Sequence, residues 1–443
     1  MYSESVRELL SKKGIEEGDK IKVVRDDLTF EGMLLPKIGF GDPSCIVLKL
    51  DNGYNIGIDI NTISDISLLS KGRIQKEDEV ITVPSTLQIP KKRISVLACG
   101  GTIASKVEYE TGAVKPSVSA EEIVSEFHEL HSLASFDTKQ IFNILSEDMT
   151  PQHWSIMAKE VYDVIKSGTE GVVIAHGTDT MGYSAAALSF MLQDPPIPIV
   201  LTGSQRSTDR GSSDNKINLI CSVLCAKSDI AHVGVCMHAT SSDDFCYFHL
   251  GTRVRKMHTS RRDAFQTIGG EPLAIIDYLK KSVSPLTSYR KRDEGRQLKF
   301  DNRLNPNVAL IYAHPGIKPE FISSLSKYDG VVIAATGLGH VSTNYLGDGF
   351  TPPIIDSIKE LCTSGIPIVI APQTIFGRID MNVYANGRRL LETGVIGNGC
   401  DMIPETALVK LMWVLGHEKD PKRIKEEMER NIAGEITERS SLI

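Results

Sequence analysis

The sequence lacks a long hydrophobic run, an excess of positive charge and any pairing of its cysteines, and each absence excludes a class of protein. No apolar stretch in its 443 residues approaches the roughly 20 needed to cross a bilayer. Residues 1–15 hold no apolar core of a secretory signal. A cytoplasmic protein without membrane contact is therefore expected. The formal net charge of −7 argues against the chain gripping a nucleic-acid backbone by itself. Local basic stretches at 253–262 and 289–296 read as solvated surface, with RNA contact as the lesser reading. The eight cysteines are scattered, and Cys99, Cys221, Cys236 and Cys362 sit inside apolar segments. That predicts buried free thiols in place of a disulfide framework. Cys221 and Cys225 are spaced for one helix face, but no second Cys or His pair completes a zinc site. His128 and His131 read as one solvated helix face, and no metal is expected. No solenoid repeat is present either.

What is present is a change of pattern along the chain. Residues 1–72 hold short, β-branched, partly alternating runs at 20–25, 28–35, 45–50 and 54–60. Asp51-Asn52-Gly53 between the last two is a strong hairpin signal. Such dense short strands predict a small SH3-like β-barrel. Residues 73–92 are charged, end in Ile89-Pro90-Lys91-Lys92, and read as a linker.

From Arg93 the pattern becomes strand, turn and helix, repeated. Strands are predicted at 93–97, 141–145, 171–174, 197–201 and 232–237, with a helix at 216–226. Thr150-Pro151 opens another helix that carries Trp154, Met157 and Val161 on one face. This alternation predicts an α/β unit over 93–287, a parallel sheet covered by helices on both faces. An Arg-rich break at 288–305 leads to a smaller α/β unit over 306–416. Its predicted strands are 308–312, 330–334 and 366–370, and its helices 319–325, 353–363 and 405–416. Residues 417–443 form a charged tail with a helix at 422–432.

Two turns of the larger unit end apolar runs in glycine and then a hydroxyl. Ala98-Cys99-Gly100-Gly101-Thr102 follows one predicted strand, and Ala175-His176-Gly177-Thr178-Asp179-Thr180 follows another. Both threonines thus fall at the carboxyl ends of buried parallel strands, where open α/β sheets place ligands. A threonine hydroxyl attacks only when a base takes its proton and donors stabilise the oxyanion. A desolvated lysine can be that base: lowering its pKa from about 10.4 to near 7 costs roughly 4–5 kcal/mol. Asp179 offers a carboxylate for a substrate ammonium. Each turn alone is also an ordinary strand exit, and Thr and Asp are ordinary helix caps.

Together, Gly100-Gly101-Thr102-Ile103-Ala104 and His176-Gly177-Thr178-Asp179-Thr180 resemble the two signature motifs of the L-asparaginase family. The resemblance covers residues 93 to about 416 and implies a two-domain parallel-sheet α/β body that hydrolyses amides. It maps the acyl-accepting nucleophile to Thr102. It also implies a hydroxyl–lysine–carboxylate triad, whose first and last members map to Thr178 and Asp179. The family's lysine lies in a loop after a later strand; Arg255-Lys256-Met257-His258-Thr259 matches that place, so Lys256 is the expected base. The serine for the substrate carboxylate maps to Ser146. Glu147 stands where bacterial members usually carry Gln, and is expected beside the substrate α-amino group. The mobile flap tyrosine maps to Tyr109. The implied reaction is attack of Thr102 on a side-chain amide, loss of ammonia, and hydrolysis of the acyl-enzyme by water activated at Thr178–Lys256. The backbone amide after Thr178 and the Thr178 hydroxyl are the expected oxyanion donors. Active sites near a subunit interface imply a homodimer, with the His340 loop facing it.

Residues 1–92 precede the first motif, whereas plain asparaginases begin close to theirs. A barrel in front of an asparaginase body resembles the D-subunit family of archaeal glutamyl-tRNA(Gln) amidotransferases. That implies a glutaminase passing ammonia to an E subunit, in a heterodimer that pairs into a dimer of heterodimers. The E subunit would use ATP and Mg to convert Glu-tRNA(Gln) to Gln-tRNA(Gln). This chain would then need no cofactor of its own and would meet tRNA mainly through that partner. A stand-alone asparaginase or glutaminase of amino-acid catabolism is the alternative.

Overall fold

The computed structural model describes residues 2–26, 28–35, 42–50, 55–71, 92–101, 105–107, 114–116, 119–125, 127–206, 213–350 and 352–439. Thr102, Tyr109, the predicted turn at Asp51-Asn52-Gly53 and all of the predicted linker except Lys92 lie outside the described residues.

The front module is a five-stranded antiparallel sheet of Lys20–Arg25, Leu28–Leu34, Cys45–Leu50, Asn55–Asp59 and Asp65–Ser70. Its first strand pairs with both the second and the fifth, which curls the sheet as an SH3-like module requires. Alternate residues turn inward, so Ile21, Val23, Ile46, Leu48, Ile58 and Ile66 form its core. A helix not expected from the sequence, Glu4–Lys12, adds Val6 and Leu10 to it. These two are spaced to share one helix face.

The larger unit is an eight-stranded sheet. Its strands run across it in the order Ser282–Pro285, Ala274–Asp277, Phe245–Leu250, Val233–His238, Ile199–Thr202, Gly171–Ala175, Arg93–Gly100 and Ser135–Ile144. The expected parallel sheet forms the last five strands, and three antiparallel strands extend one edge. Only residues 239–244 separate Val233–His238 from Phe245–Leu250. That is too short for a helical crossover, so the pair is antiparallel. Ile94, Val96 and Ala98 pack on one face with helix Asn215–Lys227. Leu97 and Cys99 pack on the other with helices Pro151–Lys166 and Met181–Met191.

Chain order fixes where the sheet opens. From Arg93–Gly100 the chain crosses to Ser135–Ile144 on one side; from Gly171–Ala175 it crosses to Ile199–Thr202 on the other. These two starting strands are direct neighbours, with Ala98 opposite Ala175. Their outgoing loops diverge, which leaves a crevice between them at the carboxyl edge. Both threonine turns begin there.

The smaller unit is a parallel sheet of Val308–Tyr312, Gly330–Ala335 and Ile368–Pro372. Helix Pro404–His417 joins it to the larger unit: Leu411 and Trp413 share one continuous core with Phe190, Val332 and Val369. The charged tail helix spans Pro421–Glu429 and stops short of the predicted 432. The chain then returns to the body, where Glu435 pairs with Lys410 at 2.6 Å, both fully buried. Among the described residues, no helix is long and apolar enough to cross a membrane.

Candidate active site

The two turns are held together by backbone contact without side chains between. A Cβ on Gly101 would lie 2.4 Å from Gly177 Cα, and Gly101 has φ +81°, so only glycine fits both demands. The Gly101 N–H donates to Ile144 O at 3.1 Å, which ties the first turn to the end of Ser135–Ile144. That strand runs into a 3-10 turn, Ser146–Asp148, and delivers Ser146 beneath the second turn. There a Cβ on Gly177 would sit 2.7 Å from Ser146 Cβ.

Lys256 arrives from a different part of the chain. It ends the strand Val254–Lys256, which forms a two-stranded antiparallel hairpin with Phe265–Thr267. Its Nζ lies 2.9 Å from Thr178 Oγ1 and donates to Asp179 Oδ1 at 2.7 Å. The structure therefore brings Thr178, Asp179 and Lys256 into one connected group. Thr178 is 6% exposed and the Lys256 side chain 13%, whereas Asp179 is 64% exposed. The hydroxyl and amine are thus shielded from water, while the carboxylate opens to the crevice. Among the described residues Asp179 Oδ2 takes no protein hydrogen bond, which leaves it for a cationic group.

Ser146 is buried, and its Oγ accepts the Asp179 N–H at 3.2 Å. Its carbonyl accepts from Thr180 Oγ1 at 2.7 Å. The Ser146 O–H has no acceptor among the described residues and remains available to donate. One expectation is corrected here. The backbone amide after Thr178, expected to face an oxyanion, is already committed to Ser146, because Gly177 lets the serine approach so closely. The Thr178 hydroxyl remains as a donor. Glu147 is exposed and makes no ion pair among the described residues.

His176, to which the sequence assigned no role, ends a buried polar chain beneath the site. Trp154 Nε1 donates to Ser184 Oγ at 3.0 Å, and Ser184 Oγ lies 2.9 Å from His176 Nε2. His176 Nδ1 lies 2.7 Å from Gly177 O. Since a carbonyl only accepts, Nδ1 carries the proton and Nε2 accepts from Ser184. Burial pushes the imidazole pKa down to about 4, so it is neutral near pH 7. The ring thereby fixes the Gly177 peptide, one residue before Thr178. Only its place inside the motif could have signalled this.

The basic stretches are only partly the solvated faces expected: residues 257–261 and Lys291 are exposed, but several arginines are not. Arg253 is buried against Asp401 at 3.1 Å, Arg255 pairs with Glu405 at 3.0 Å, and Arg262 with Asp243. Arg292 donates to the carbonyls of Glu170, Ala226 and Ser228. All eight cysteines are free, and Cys99 is buried with its thiol pushed up to about 12. His340 lies beside Tyr384 in the smaller unit, and neither ring nitrogen has a hydrogen-bond partner among the described residues.

Comparison with known proteins identifies the family. Residues 93–286 match the Asparaginase N-terminal family, and 307–428 the Glutaminase/Asparaginase C-terminal domain. Residues 15–69 match the GatD N-terminal domain. The D subunit of the glutamyl-tRNA(Gln) amidotransferase of Methanosphaera stadtmanae is 46% identical over 98% of this chain and 97% of its own. Its counterpart in Pyrococcus furiosus is 46% identical with the same coverage. The chain belongs to the amidotransferase D-subunit family. Within that family its body keeps the asparaginase fold. The thermostable L-asparaginase of Thermococcus kodakarensis superimposes with TM-score 0.68 at 34% identity, covering 78% of this chain and 99% of that one. L-asparaginase I of Vibrio cholerae gives 0.67 at 26% identity, covering 78% and 99%. As a D-subunit family member the chain is an enzyme of the amidohydrolase type working within a multisubunit amidotransferase.

Proposed function

We propose that this chain is the glutaminase of a tRNA-dependent amidotransferase, releasing ammonia from a side-chain amide for a partner E subunit. The partner uses ATP and Mg to convert Glu-tRNA(Gln) to Gln-tRNA(Gln), and contacts the tRNA for the complex. The single observation that carries the chemistry is Lys256 Nζ seated between Thr178 Oγ1 and Asp179 Oδ1. The front module and the full-length relatives carry the purpose.

In the proposed reaction the donor, glutamine or asparagine, lies in the crevice with its α-ammonium at Asp179 and its carboxylate at the free Ser146 O–H. Glu147, at the same rim, adds a second carboxylate for the ammonium. Thr102, next in the chain to Gly101, attacks the amide carbon, with Tyr109 as the tyrosine expected to close over the donor. The tetrahedral oxyanion collapses to an acyl-threonine as ammonia leaves, the leaving nitrogen taking the proton that Thr102 gave up. The Lys256 amine, acting through the Thr178 hydroxyl, then removes a proton from water. Hydroxide adds to the ester, and the acid departs as Thr102 regains its proton. General-base assistance of this kind contributes roughly 10²–10⁴ in rate.

The test is amide hydrolysis by the purified chain, with asparagine and with glutamine, alone and with the E subunit, ATP and Glu-tRNA(Gln). Glutamine hydrolysis that is weak alone and rises on adding partner and tRNA is expected. Full-rate asparagine hydrolysis by the isolated chain, unaffected by the partner, would make it a catabolic asparaginase.

A further inference from the structure

The hairpin that carries Lys256 is held by residues from the far end of the chain. Immediately before the hairpin, Thr252 Oγ1 donates to Ala433 O at 3.0 Å, and Thr252 O accepts from Thr406 Oγ1 at 2.9 Å. The next side chain, Arg253, is 5% exposed and spends its planar fork on the same segment. Its Nε donates to Gly434 O at 3.0 Å, and its Nη2 to Glu435 O at 2.9 Å and Asp401 Oδ1 at 3.1 Å. Asp401 in turn accepts from the Thr437 N–H at 3.0 Å and from the Thr437 hydroxyl. Two residues on, Arg255 pairs with Glu405 at the start of helix Pro404–His417.

The segment that receives these bonds is itself locked. Glu435 accepts from the Ile432 and Ala433 N–H groups, which closes a tight loop, and it pairs with Lys410 of helix Pro404–His417. Lys410 also donates to Met428 O and Arg430 O. A buried pair of charges costs desolvation, and replacing it by apolar residues is often neutral or stabilising. Its place under the Arg253 acceptors therefore suggests a service beyond stability.

We propose that residues 433–437, gripped by Arg253 and Asp401, are a positioning brace for Lys256, coupling the catalytic base to the smaller unit and the C-terminal segment. Arg253 acts through the backbone three residues before the lysine and touches no reacting atom, so it is a positioning residue. An arginine's planar fork, here reaching Gly434 O through Nε and Glu435 O and Asp401 through Nη2, fixes direction as well as distance, which a lysine's single ammonium does not. A displacement of about 1 Å at a catalytic group can cost 10²-fold in rate. The brace rests on the proposed role of Lys256 as base.

The test uses the full-length chain and four variants, with rates normalised to the folded fraction measured by circular dichroism. Arg253→Lys is expected to lower kcat for amide hydrolysis at least tenfold while KM stays within twofold. Arg292→Lys, the same exchange at an arginine bound to Glu170, Ala226 and Ser228, is expected to stay within twofold in both. Thr437→Val, which removes the hydroxyl's bond to Asp401 and its bond from Arg378 and keeps Arg253, is expected to lower kcat by a smaller factor and serves if Arg253→Lys does not fold. Amide hydrogen exchange over 252–257 is expected to quicken in the two brace variants and not in Arg292→Lys. Brace variants with kcat within twofold of the parent, or a fall equal to that of Arg292→Lys, would overturn the proposal. Lys256→Met separates the two readings. If it is inactive while Arg253→Lys is fully active, the brace alone falls; if it is fully active, the base assignment falls first.

Discussion

Adding one methyl group at Gly101 perturbs the site with the least chemical change. In Gly101→Ala the new Cβ would stand 2.4 Å from Gly177 Cα, with Gly177 N at 2.5 Å. Carbon atoms in contact rest about 3.5–4.0 Å apart, so the two turns must separate by about 1 Å. Both obstacles are backbone atoms, and no side chain can rotate away. The residue would also hold φ +81°, a left-handed conformation that costs an L-residue about 1–2 kcal/mol. Adding about 1–3 kcal/mol for overpacking gives a destabilisation of roughly 2–5 kcal/mol. The functional consequence is larger, since a 1 Å misplacement of reacting groups costs about 10²-fold in kcat. Thermal unfolding followed by circular dichroism reads the first quantity, and steady-state ammonia release by the remaining folded protein reads the second. A Gly101→Ala protein with parental kcat and melting temperature would refute the close apposition of the two turns.

Three further outcomes follow from the same geometry. Lys256→Met should lower kcat about 10²–10⁴-fold yet change stability by no more than about 1 kcal/mol, because the Asp179 partner is largely exposed; a large loss of melting temperature without loss of rate would reverse that assignment. Acid should weaken the fold as pH falls from about 6.5 to about 4. His176 has its pKa depressed to about 4 by burial, so the unfolded chain binds the extra proton first. His176 alone contributes a loss of roughly 3 kcal/mol by pH 4; His232 and His249, lowered to about 4 and about 3, act in the same direction. A urea midpoint that stays flat over this window would contradict it. Glu435→Gln should destabilise by about 3–5 kcal/mol by leaving the buried Lys410 charge unpaired. Lys410→Met with Glu435→Leu should recover most of that loss in a thermal melt, and equal losses in both proteins would argue against an electrostatic origin.

The barrel strands, the parallel strands, the glycines of the first turn and the Thr178 turn were legible because each follows from local periodicity and glycine placement. Thr178 and Asp179 could be picked out by pattern, since they close a buried strand. Lys256 could not, because its bond to Thr178 spans 78 residues and nothing beside it in sequence marks it as internal; it was reached through resemblance. Arg253 was misread for the same reason. A run of positive charge looks alike whether it faces water or, as here, a carboxylate 148 residues away. The antiparallel edge was missed because Phe245–Leu250 and Ser282–Pro285 take their direction from short connections, 239–244 and 278–281. Helix Glu4–Lys12 was missed because a single pair, Val6 and Leu10, is too brief a pattern to establish a period.

The most direct measurement is Gln-tRNA(Gln) formation by the full-length chain with its partner, using glutamine or free ammonium as the nitrogen source. With Lys256→Ala, product formation from glutamine should disappear while formation from ammonium continues at the parental rate. Equal loss with both sources, or full activity with glutamine, would contradict a Thr178–Lys256–Asp179 centre that supplies the ammonia.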